Sequence, residues 1–267
     1  MPLAVCATPV GNLEDVTLRV LEQLAAADLV LCEDTRRTRI LLDRHAIAAR
    51  LVSYHEHNEA QRTAEMLPRL AAGETIALVS DAGLPGVNDP GARLISAARD
   101  AGLPVTVLPG PSAVETALVS SGFDAERYQF FGYLPRGPRA LASLWDDLSG
   151  WPYAAIAFES PKRLPATLAS LAGVLPERPL AVCRELTKAF EEVVRGPARA
   201  VAERFATPPK GEITLVFGPA LPCAVPDRAG LEAVTDLVAA GVTRKQAADV
   251  VARLTGLSRN RLYRGSL

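Results

Sequence analysis

The chain has 267 residues, of which 49% are hydrophobic and 22% charged, so it is expected to form one large or two medium packed domains and not a disordered chain. The formal net charge of -1 indicates no class of partner by itself, and no stretch is long and apolar enough to span a membrane. The first residues, MPLAVCATPV, lack the features of a signal peptide. We therefore expect a cytoplasmic protein.

The four cysteines, Cys6, Cys32, Cys183 and Cys223, are far apart in sequence and form no zinc-binding pair. Cys6 and Cys32 lie in apolar runs, where a buried free thiol is the ordinary state. This pattern is typical of a reducing compartment.

Short apolar strands alternate with helical patterns through residues 1–122. The predicted strands are 3–6, 29–32, 51–54, 75–80 and 104–108. Several of the intervening helices end at a glycine: Gly73, Gly102 and Gly122. Continuous apolar strands that alternate with helices predict an α/β domain with a parallel sheet covered on both faces.

The character of the sequence changes at residues 123–136, FDAERYQFFGYLPR, which are rich in aromatic residues and have almost no helical period. We place a domain boundary near this segment, with a second α/β domain at 123–218. Its predicted strands are 153–158, 180–184, 191–196 and 212–218. The strand at 191–196 follows its predecessor too closely for a helical crossover, which predicts a mixed sheet.

Residues 219–227 contain three prolines and are predicted to be a linker. Three short helices are predicted in 228–267. Gly241 and Gly256 would end the first two, Thr243 and Gln246 would form a capping box, and Ser258 would cap the third helix, with Leu257 and Leu262 as a hydrophobic staple.

The end of the chain is basic. Residues 242–267 hold six Arg or Lys residues and one acid, which leaves a net charge of +5. Short helices with a basic final helix are typical of a helix-turn-helix module that binds nucleic acid. A solvated helical bundle is the alternative.

Loops rich in Gly, Pro and Asp follow four strands of the predicted parallel sheet. They are TPVGN (8–12), EDTR (33–36), SDAGLPGVNDPG (80–91) and PGPSA (109–113). The carboxyl ends of parallel strands lie at one edge of a sheet, where ligands bind. The sequence therefore predicts that these loops form one wall of a ligand cleft.

The chemistry of the ligand is not fixed by these loops, because the GxGxxG and GxxxxGK[ST] phosphate-binding patterns are both absent. Glu33, Asp34, Asp81 and Asp89 could bind a metal, but an acid at a strand end more often caps the following helix. In HEHNE (55–59) no third zinc ligand is evident, which favours hydrogen bonding or substrate contact.

Charged residues also cluster after two strands of the second domain, in FESPKR (158–163) and CRELTKAFEE (183–192). Surface salt bridges are the ordinary explanation. Their expected position opposite the first wall makes a role in the cleft the alternative.

Eight motifs occur in order along residues 1–218: TPVGNLEDVTLR, EDTRRT, SYHEHNE, SDAGLPGVNDPG, PGPSA, SGF, FESPKR and RELTKAFEE. Together they resemble the ribosomal RNA small subunit methyltransferase I family, within the tetrapyrrole methylase superfamily. The resemblance implies two α/β domains with S-adenosylmethionine in the cleft between them, and a homodimer. It also implies methylation of a cytidine ribose 2′-hydroxyl in the decoding region of 16S rRNA, within the small ribosomal subunit.

Cofactor contacts follow from matching these motifs to the family. The resemblance assigns them to Val10, Asp81, Leu84, Ser112, Ala113, Phe158, Glu212 and Ile213. It assigns no metal. The ribose hydroxyl has a high pKa, so methyl transfer to it needs a base or a stabilising cation. The candidates for that catalytic role are Lys188, Glu159, Glu33 and Arg36.

Three alternatives remain open from the sequence. A methylase of the same fold could act on a tetrapyrrole or on a protein, although the HEHNE and RELTKAFEE motifs favour RNA. The basic C-terminal helices would also suit a ligand-sensing regulator that binds DNA. The strand-end carboxylates would suit a metal-dependent hydrolase.

Overall fold

The computed structural model describes residues 2–220, 227–255 and 257–266. The chain forms two compact units, Met1–Pro219 and Ala220–Leu267. Most of the predicted linker at 219–227 lies outside the described residues, as do Cys223 and Gly256. No helix in the described ranges is long and apolar enough to cross a membrane.

The first sheet contains β1 (Leu3–Cys6), β2 (Leu29–Cys32), β3 (Leu51–Ser53), β4 (Ile76–Leu78) and β5 (Val105–Leu108). Its strand order is β3-β2-β4-β1-β5, and every pairing is parallel. The predicted parallel sheet is thus confirmed.

Both faces of this sheet are covered, because alternate residues of each strand enter different cores. In β1, Leu3 and Val5 pack in one core and Ala4 and Cys6 in the other. A 3₁₀ helix at Leu13–Asp15 comes first, and the following helices are α1 (Leu18–Ala26), α2 (Thr35–Arg44), α3 (Glu59–Ala71), α4 (Ala92–Asp100) and α5 (Ala113–Ser121). The free thiols of Cys6, Cys32 and Cys183 are buried, as the sequence indicated for the first two.

The second sheet contains β6 (Tyr128–Tyr133), β7 (Ala154–Glu159), β8 (Pro179–Arg184), β9 (Glu192–Pro197) and β10 (Ile213–Phe217). Its order is β6-β7-β10-β8-β9, in which β6 and β7 are parallel and the other pairs antiparallel. The predicted mixed sheet is confirmed. Its helices are α6 (Pro138–Ser149), α7 (Leu164–Val174) and α8 (Ala198–Arg204).

Strand β6 was not predicted, although it lies within the aromatic segment 123–136. The pairing of β6 with β7 shifts register between Phe130 and Tyr133, and Gly132 has a φ of 68°. This bulge removes the regular two-residue alternation by which a half-buried strand is recognised in sequence.

Helix α5 packs against the second sheet, although it directly follows the last strand of the first sheet. Its residues Val114, Ala117 and Leu118 share a core with Ile156 and Val216. This helix therefore links the two sheets within the first compact unit.

The C-terminal unit contains α9 (Asp227–Ala239), α10 (Arg244–Thr255) and α11 (Arg259–Gly265), as the sequence predicted. They enclose a small core of Val234, Ala247, Ala248, Val251 and Leu262. The cap of α10 is partly confirmed, because Gln246 N donates to Thr243 Oγ1 over 3.4 Å. Ser258 occupies the N-cap of α11, but its side chain makes no capping hydrogen bond, so that detail of the prediction is wrong.

Candidate active site

A cavity of about 820 Å³ lies at the carboxyl edge of the first sheet and is closed by residues of the second sheet. Its volume falls within the roughly 300–1,000 Å³ of ligand-binding clefts. Ten of the twelve predicted site residues line it: Val10, Glu33, Asp81, Leu84, Ser112, Ala113, Phe158, Glu159, Glu212 and Ile213. Lys188 and Arg36 do not.

The loop 80–91 forms much of one wall, as its composition predicted. Its backbone pairs with the loop after β1, since Thr8 N donates to Gly83 O over 2.8 Å and Gly83 N donates to Thr8 O over 3.0 Å. Glu59 of the HEHNE motif accepts from Gly91 N over 3.0 Å. Residues with positive φ occur at Gly83, Gly86, Asn88 and Gly91. The glycines of this loop give the backbone a shape that other residues rarely adopt.

The cavity is rich in acids. Six carboxylates line it, from Glu33, Asp81, Asp89, Glu115, Glu159 and Glu212, and Arg37 is the basic residue among the lining residues that the structure describes. A negatively charged cleft with low-dielectric walls attracts a cationic ligand.

Asp81 connects the ends of β2 and β4. Its carboxylate accepts from Asp34 N over 3.1 Å and lies 3.4 Å from the guanidinium of Arg37. Arg37 therefore occupies the position in the cavity for which the sequence suggested Arg36.

Asp34 is the N-cap of α2 and accepts from Arg36 N over 2.8 Å, so the capping role is confirmed for this acid. The Arg36 guanidinium folds back onto the same carboxylate at 2.7 Å, and its side chain is 89% exposed. Hydrogen bonds from Arg36 hold the pKa of Asp34 at about 2. The Asp34 and Arg36 side chains thus bind each other outside the cavity.

Two cavity carboxylates are poor acids. Burial, followed by the charge of Asp81, raises the pKa of Glu33 above its usual value. Burial, followed by the charge of Glu33, raises the pKa of Asp89 to about 6. A carboxylate whose pKa is raised in this way is a stronger base at neutral pH.

We expect the Asp89→Asn variant to be more stable than the native chain, by an amount that grows as the pH rises. In the native chain the pKa of Asp89 is raised from 3.8 to about 6, so its contribution to stability is present below pH 3.8 and lost as the pH rises through about 6. The asparagine variant does not ionise. Its free energy of unfolding should gain about 1–3 kcal/mol over that of the native chain between pH 4 and pH 7. Urea denaturation at several pH values measures this gain, and a difference that does not change with pH would contradict the assignment.

Glu159 lines the cavity, but its carboxylate makes two hydrogen bonds and an ion pair with neighbouring residues. Its carboxylate accepts from Ser160 N and from Thr167 Oγ1, each over 2.6 Å, and lies 3.2 Å from the Arg163 guanidinium. These contacts suit a structural anchor at the end of β7 better than a base that must collect a proton.

Lys188 lies beside the cavity, and its ammonium contacts Glu185 and Glu212 at 2.9 Å each. Burial alone would lower the pKa of Lys188, but hydrogen bonds to these two carboxylates outweigh burial and raise it. Lys188 therefore carries a positive charge next to Glu212, which does line the cavity.

The loops after β1 and β8 touch each other at this point. A Cβ on Gly11 would lie 2.4 Å from Lys188 Cγ and 2.8 Å from the carbonyl oxygen of Leu186. Asn12 N donates to Thr187 Oγ1 over 2.9 Å. Thr187 has a φ of 64°, a backbone strain of the kind that collects at functional sites. Val10 and Leu186, which adjoin this contact in sequence, line the cavity.

The HEHNE motif has hydrogen-bonding roles. His55 N donates to Asn58 Oδ1 over 2.8 Å, and Tyr54 Oη donates to Glu59 Oε1 over 3.1 Å. Among residues 2–220, 227–255 and 257–266, no group of three or more His, Cys, Asp or Glu residues is arranged to hold a metal.

Several cavity residues were missed in the sequence: Arg37, Glu115, Tyr128, Phe130 and Tyr133. Arg37 adjoins the predicted Arg36 on α2. The direction of each side chain within the first helical turn decides which of the two lines the cavity. The aromatic residues were missed because β6 was not recognised as a strand.

Comparison with known proteins identifies the family. Residues 2–202 match the family described as Tetrapyrrole (Corrin/Porphyrin) Methylases, and residues 225–265 match the RsmI C-terminal HTH domain. The chain is 43% identical over 265 residues to a Ribosomal RNA small subunit methyltransferase I of Mesorhizobium japonicum, covering 98% of this chain and 90% of that protein. It belongs to this family of tetrapyrrole methylases. The resemblance seen in the sequence motifs is therefore confirmed.

A second family member, the protein of the same name from Mycobacterium tuberculosis, is 44% identical over 96% of this chain and 91% of its own length. Solved methyltransferase structures share the fold. The methyltransferase CobJ matches with a TM-score of 0.61 at 20% identity, over 82% of this chain and 94% of that chain. A uroporphyrin-III C-methyltransferase of Thermus thermophilus complexed with S-adenyl homocysteine matches with a TM-score of 0.55 at 18% identity, over 81% and 96% of the two chains.

Proposed function

We propose that this chain is an S-adenosylmethionine-dependent methyltransferase that methylates the ribose 2′-hydroxyl of a cytidine in the decoding region of 16S rRNA. The observation that carries the proposal is the cavity, which brings together all eight residues that the family motifs assign to the cofactor. The full-length relatives named ribosomal RNA small subunit methyltransferase I support the choice of acceptor.

The cavity fits this cofactor in charge and in shape. Six carboxylates favour a sulfonium cation, and the turn at Ser112 and Ala113 places the N-terminus of α5 in the lining of the cavity. Bound S-adenosylmethionine supplies a methyl group on a positively charged sulfur. Such a transfer is an in-line displacement, so positioning by Asp81, Phe158 and Ile213 carries much of the catalysis.

Among the four predicted catalytic residues, Glu33 is the best placed to act as the base. It lines the cavity, and burial, followed by the charge of Asp81, raises its pKa above the usual value. Its carboxylate accepts the proton of the ribose hydroxyl as the oxygen attacks the methyl carbon. Arg37 takes the place of Arg36 as the cation inside the cavity, while Glu159 holds the end of β7.

Lys188 contributes through its charge at the edge of the cavity. We expect Lys188→Ala to lower the methylation rate about 10- to 100-fold, because a fixed cation stabilises negative charge in the transition state. Cofactor affinity should change less than about threefold, since such a group acts mainly on the chemical step. Single-turnover methylation and calorimetric titration of the cofactor measure the two effects.

Lys210→Ala is the matched control, because Lys210 is an exposed lysine in the same unit and its side chain lies outside the cavity. A normal rate together with normal cofactor affinity in Lys188→Ala would show that Lys188 is a surface residue.

Further features of the proposal come from the family resemblance. The protein acts in the cytoplasm as a homodimer, on rRNA within the small ribosomal subunit. Residues 1–122 and 123–218 form the two walls of the cofactor cleft, and 228–267 form an RNA-binding module.

The proposed reaction can be tested with purified protein and labelled S-adenosylmethionine. The acceptor is a preparation of small ribosomal subunits that lack the modification. The rRNA is then digested to nucleosides. We expect label in 2′-O-methylcytidine alone. Label in a methylated base, or transfer only to a tetrapyrrole or a protein, would assign this fold a different acceptor.

A further inference from the structure

Tyr133, the last residue of β6, lines the cavity yet is 62% exposed. Its ring packs edge-on against Phe158 with centroids 5.6 Å apart, and Phe158 packs in the same way against Phe130 at 5.0 Å. These contacts fix the ring but leave a large part of it uncovered. An aromatic ring held in this way can stack on a flat ligand.

The backbone aims this ring into the cavity. The bulge of β6 lies at Gly132, which has a φ of 68°, and such bulges change the direction of the next side chain. A Cβ on Gly132 would lie 2.5 Å from Asn88 Oδ1, so the loop 80–91 closes directly onto the bulge. Asn88 itself has a φ of 63°. Two unusual backbone positions on opposite walls of the cavity thus set the position of Tyr133.

Basic residues surround the turn that follows Tyr133. Arg163 donates to Leu134 O over 3.0 Å and to Pro135 O over 2.7 Å, which fixes this turn to the end of β7. Arg136 and Lys162 are exposed on the two loops joined in this way, and Arg139 is exposed in the first turn of α6. In the part of the chain that the structure describes, none of these three has an ion-pair partner.

An exposed aromatic ring beside unpaired cations is the arrangement by which proteins bind single-stranded RNA, with a base on the ring and phosphates on the cations. We propose that Tyr133 stacks on the nucleobase of the acceptor nucleotide and that Arg136, Arg139 and Lys162 bind the adjacent phosphates. This inference rests on the proposed function. We call the four residues the nucleobase platform.

The surroundings of Tyr133 favour stacking over proton transfer. Burial, followed by the charges of Glu212, Asp89, Glu33 and Glu159, raises the pKa of the Tyr133 hydroxyl. The ring therefore stays neutral at physiological pH. Its phenyl face, which phenylalanine would also supply, is the part that binds the base.

The test compares the full-length chain with Tyr133→Ala and Tyr133→Phe. Three quantities are measured for each: kcat/KM for methylation of 16S rRNA in small subunits, Kd for a single-stranded rRNA fragment with S-adenosylhomocysteine present, and Kd for S-adenosylmethionine. We expect Tyr133→Ala to lower kcat/KM and to weaken fragment binding, each by about 10- to 100-fold, as measured for other base-stacking residues. Tyr133→Phe should stay within about threefold of the native chain, and cofactor affinity should hold in both.

Tyr153→Ala is the matched control, because Tyr153 lies before the opposite end of β7 and packs against Trp151 and Arg127, outside the cavity. If Tyr133→Ala does not fold, as judged by its thermal midpoint, Tyr133→Leu replaces it.

Arg136→Gln and Lys162→Gln should each reduce the slope of log Kd against log salt by about one, whereas Arg199→Gln, which removes a cation paired with Glu177, should not.

Native fragment affinity in Tyr133→Ala would overturn the proposal, and so would a loss in Tyr133→Phe equal to that in Tyr133→Ala. An equal weakening of cofactor binding would show that the ring holds the cofactor and not the base. If the native chain methylates no nucleotide of 16S rRNA, the proposed function fails. The fragment affinities of the three proteins still decide whether Tyr133 binds a base.

Discussion

Asp81→Ala should weaken S-adenosylmethionine binding by about 100-fold while the protein stays folded. The Asp81 carboxylate lines the cavity at the end of β4 and is oriented by Asp34 N and by the Arg37 guanidinium. Removing it deletes a charged acceptor and leaves Arg37 unpaired beside a cationic ligand. Hydrogen bonds to charged groups contribute about 1.5–3 kcal/mol each, and 3 kcal/mol corresponds to roughly 100-fold in affinity. Calorimetric titration of the cofactor measures the loss.

Asp124→Ala is the matched control for this experiment. The Asp124 side chain also accepts a backbone hydrogen bond, from Glu126 N over 2.9 Å, but it is exposed and lies outside the cavity. Both variants should lose about 1 kcal/mol of stability for the hydrogen bond removed. If cofactor affinity is unchanged in folded Asp81→Ala, Asp81 serves only to shape the turn.

Removal of residues 228–267 should weaken rRNA binding at least about tenfold at physiological salt and flatten its salt dependence. The unit carries a net charge of +5 over residues 242–267, and Lys245, Arg253, Arg261 and Arg264 are exposed. The slope of log Kd against log salt falls by about one for each phosphate that the truncated chain no longer neutralises. Cofactor affinity should hold, because the residues that line the cavity all lie in Met1–Pro219. Filter binding across a salt series provides the measurement.

The exposed cations of the unit can also be tested singly. Lys245→Gln and Arg253→Gln should each lower the slope, whereas Arg228→Gln, which removes a cation paired with Glu232, should leave it unchanged. Equal RNA affinity and slope for the full-length and truncated chains would mean that 228–267 is a solvated bundle.

The first sheet could be predicted from the sequence because its strands are buried on both faces. Continuous apolar runs such as LAVC and LVLC have no other stable location, and glycines such as Gly73 and Gly102 mark the helix ends with positive φ. Strand β6 could not be predicted, because the bulge at Gly132 interrupts its two-residue alternation. The close approach of Asn88 to Gly132, from a loop that is distant in sequence, is visible only in the fold.

The part of the candidate site that lies in loops at the strand ends could be predicted from the sequence. The loops at Asp81, Ser112 and Glu33 had to meet at one edge once the sheet was parallel. Which neighbouring side chain enters the cavity is settled by local pairing, as Arg36 shows by binding its own N-cap residue Asp34. Similarly, the pairing of Lys188 with Glu212 becomes visible only when the loops after β8 and before β10 come together.

The proposed reaction of this chain is methylation of the 2′-hydroxyl of a cytidine in the decoding region of 16S rRNA. The most direct measurement is a map of 2′-O-methylation along 16S rRNA from a strain in which the gene for this chain is deleted, with and without a plasmid copy. We expect one cytidine in the decoding region to lose its methyl group, to regain it with the native chain and to stay unmodified with Asp81→Ala. An unchanged methylation map in the deletion strain would show that this chain does not methylate 16S rRNA at that site.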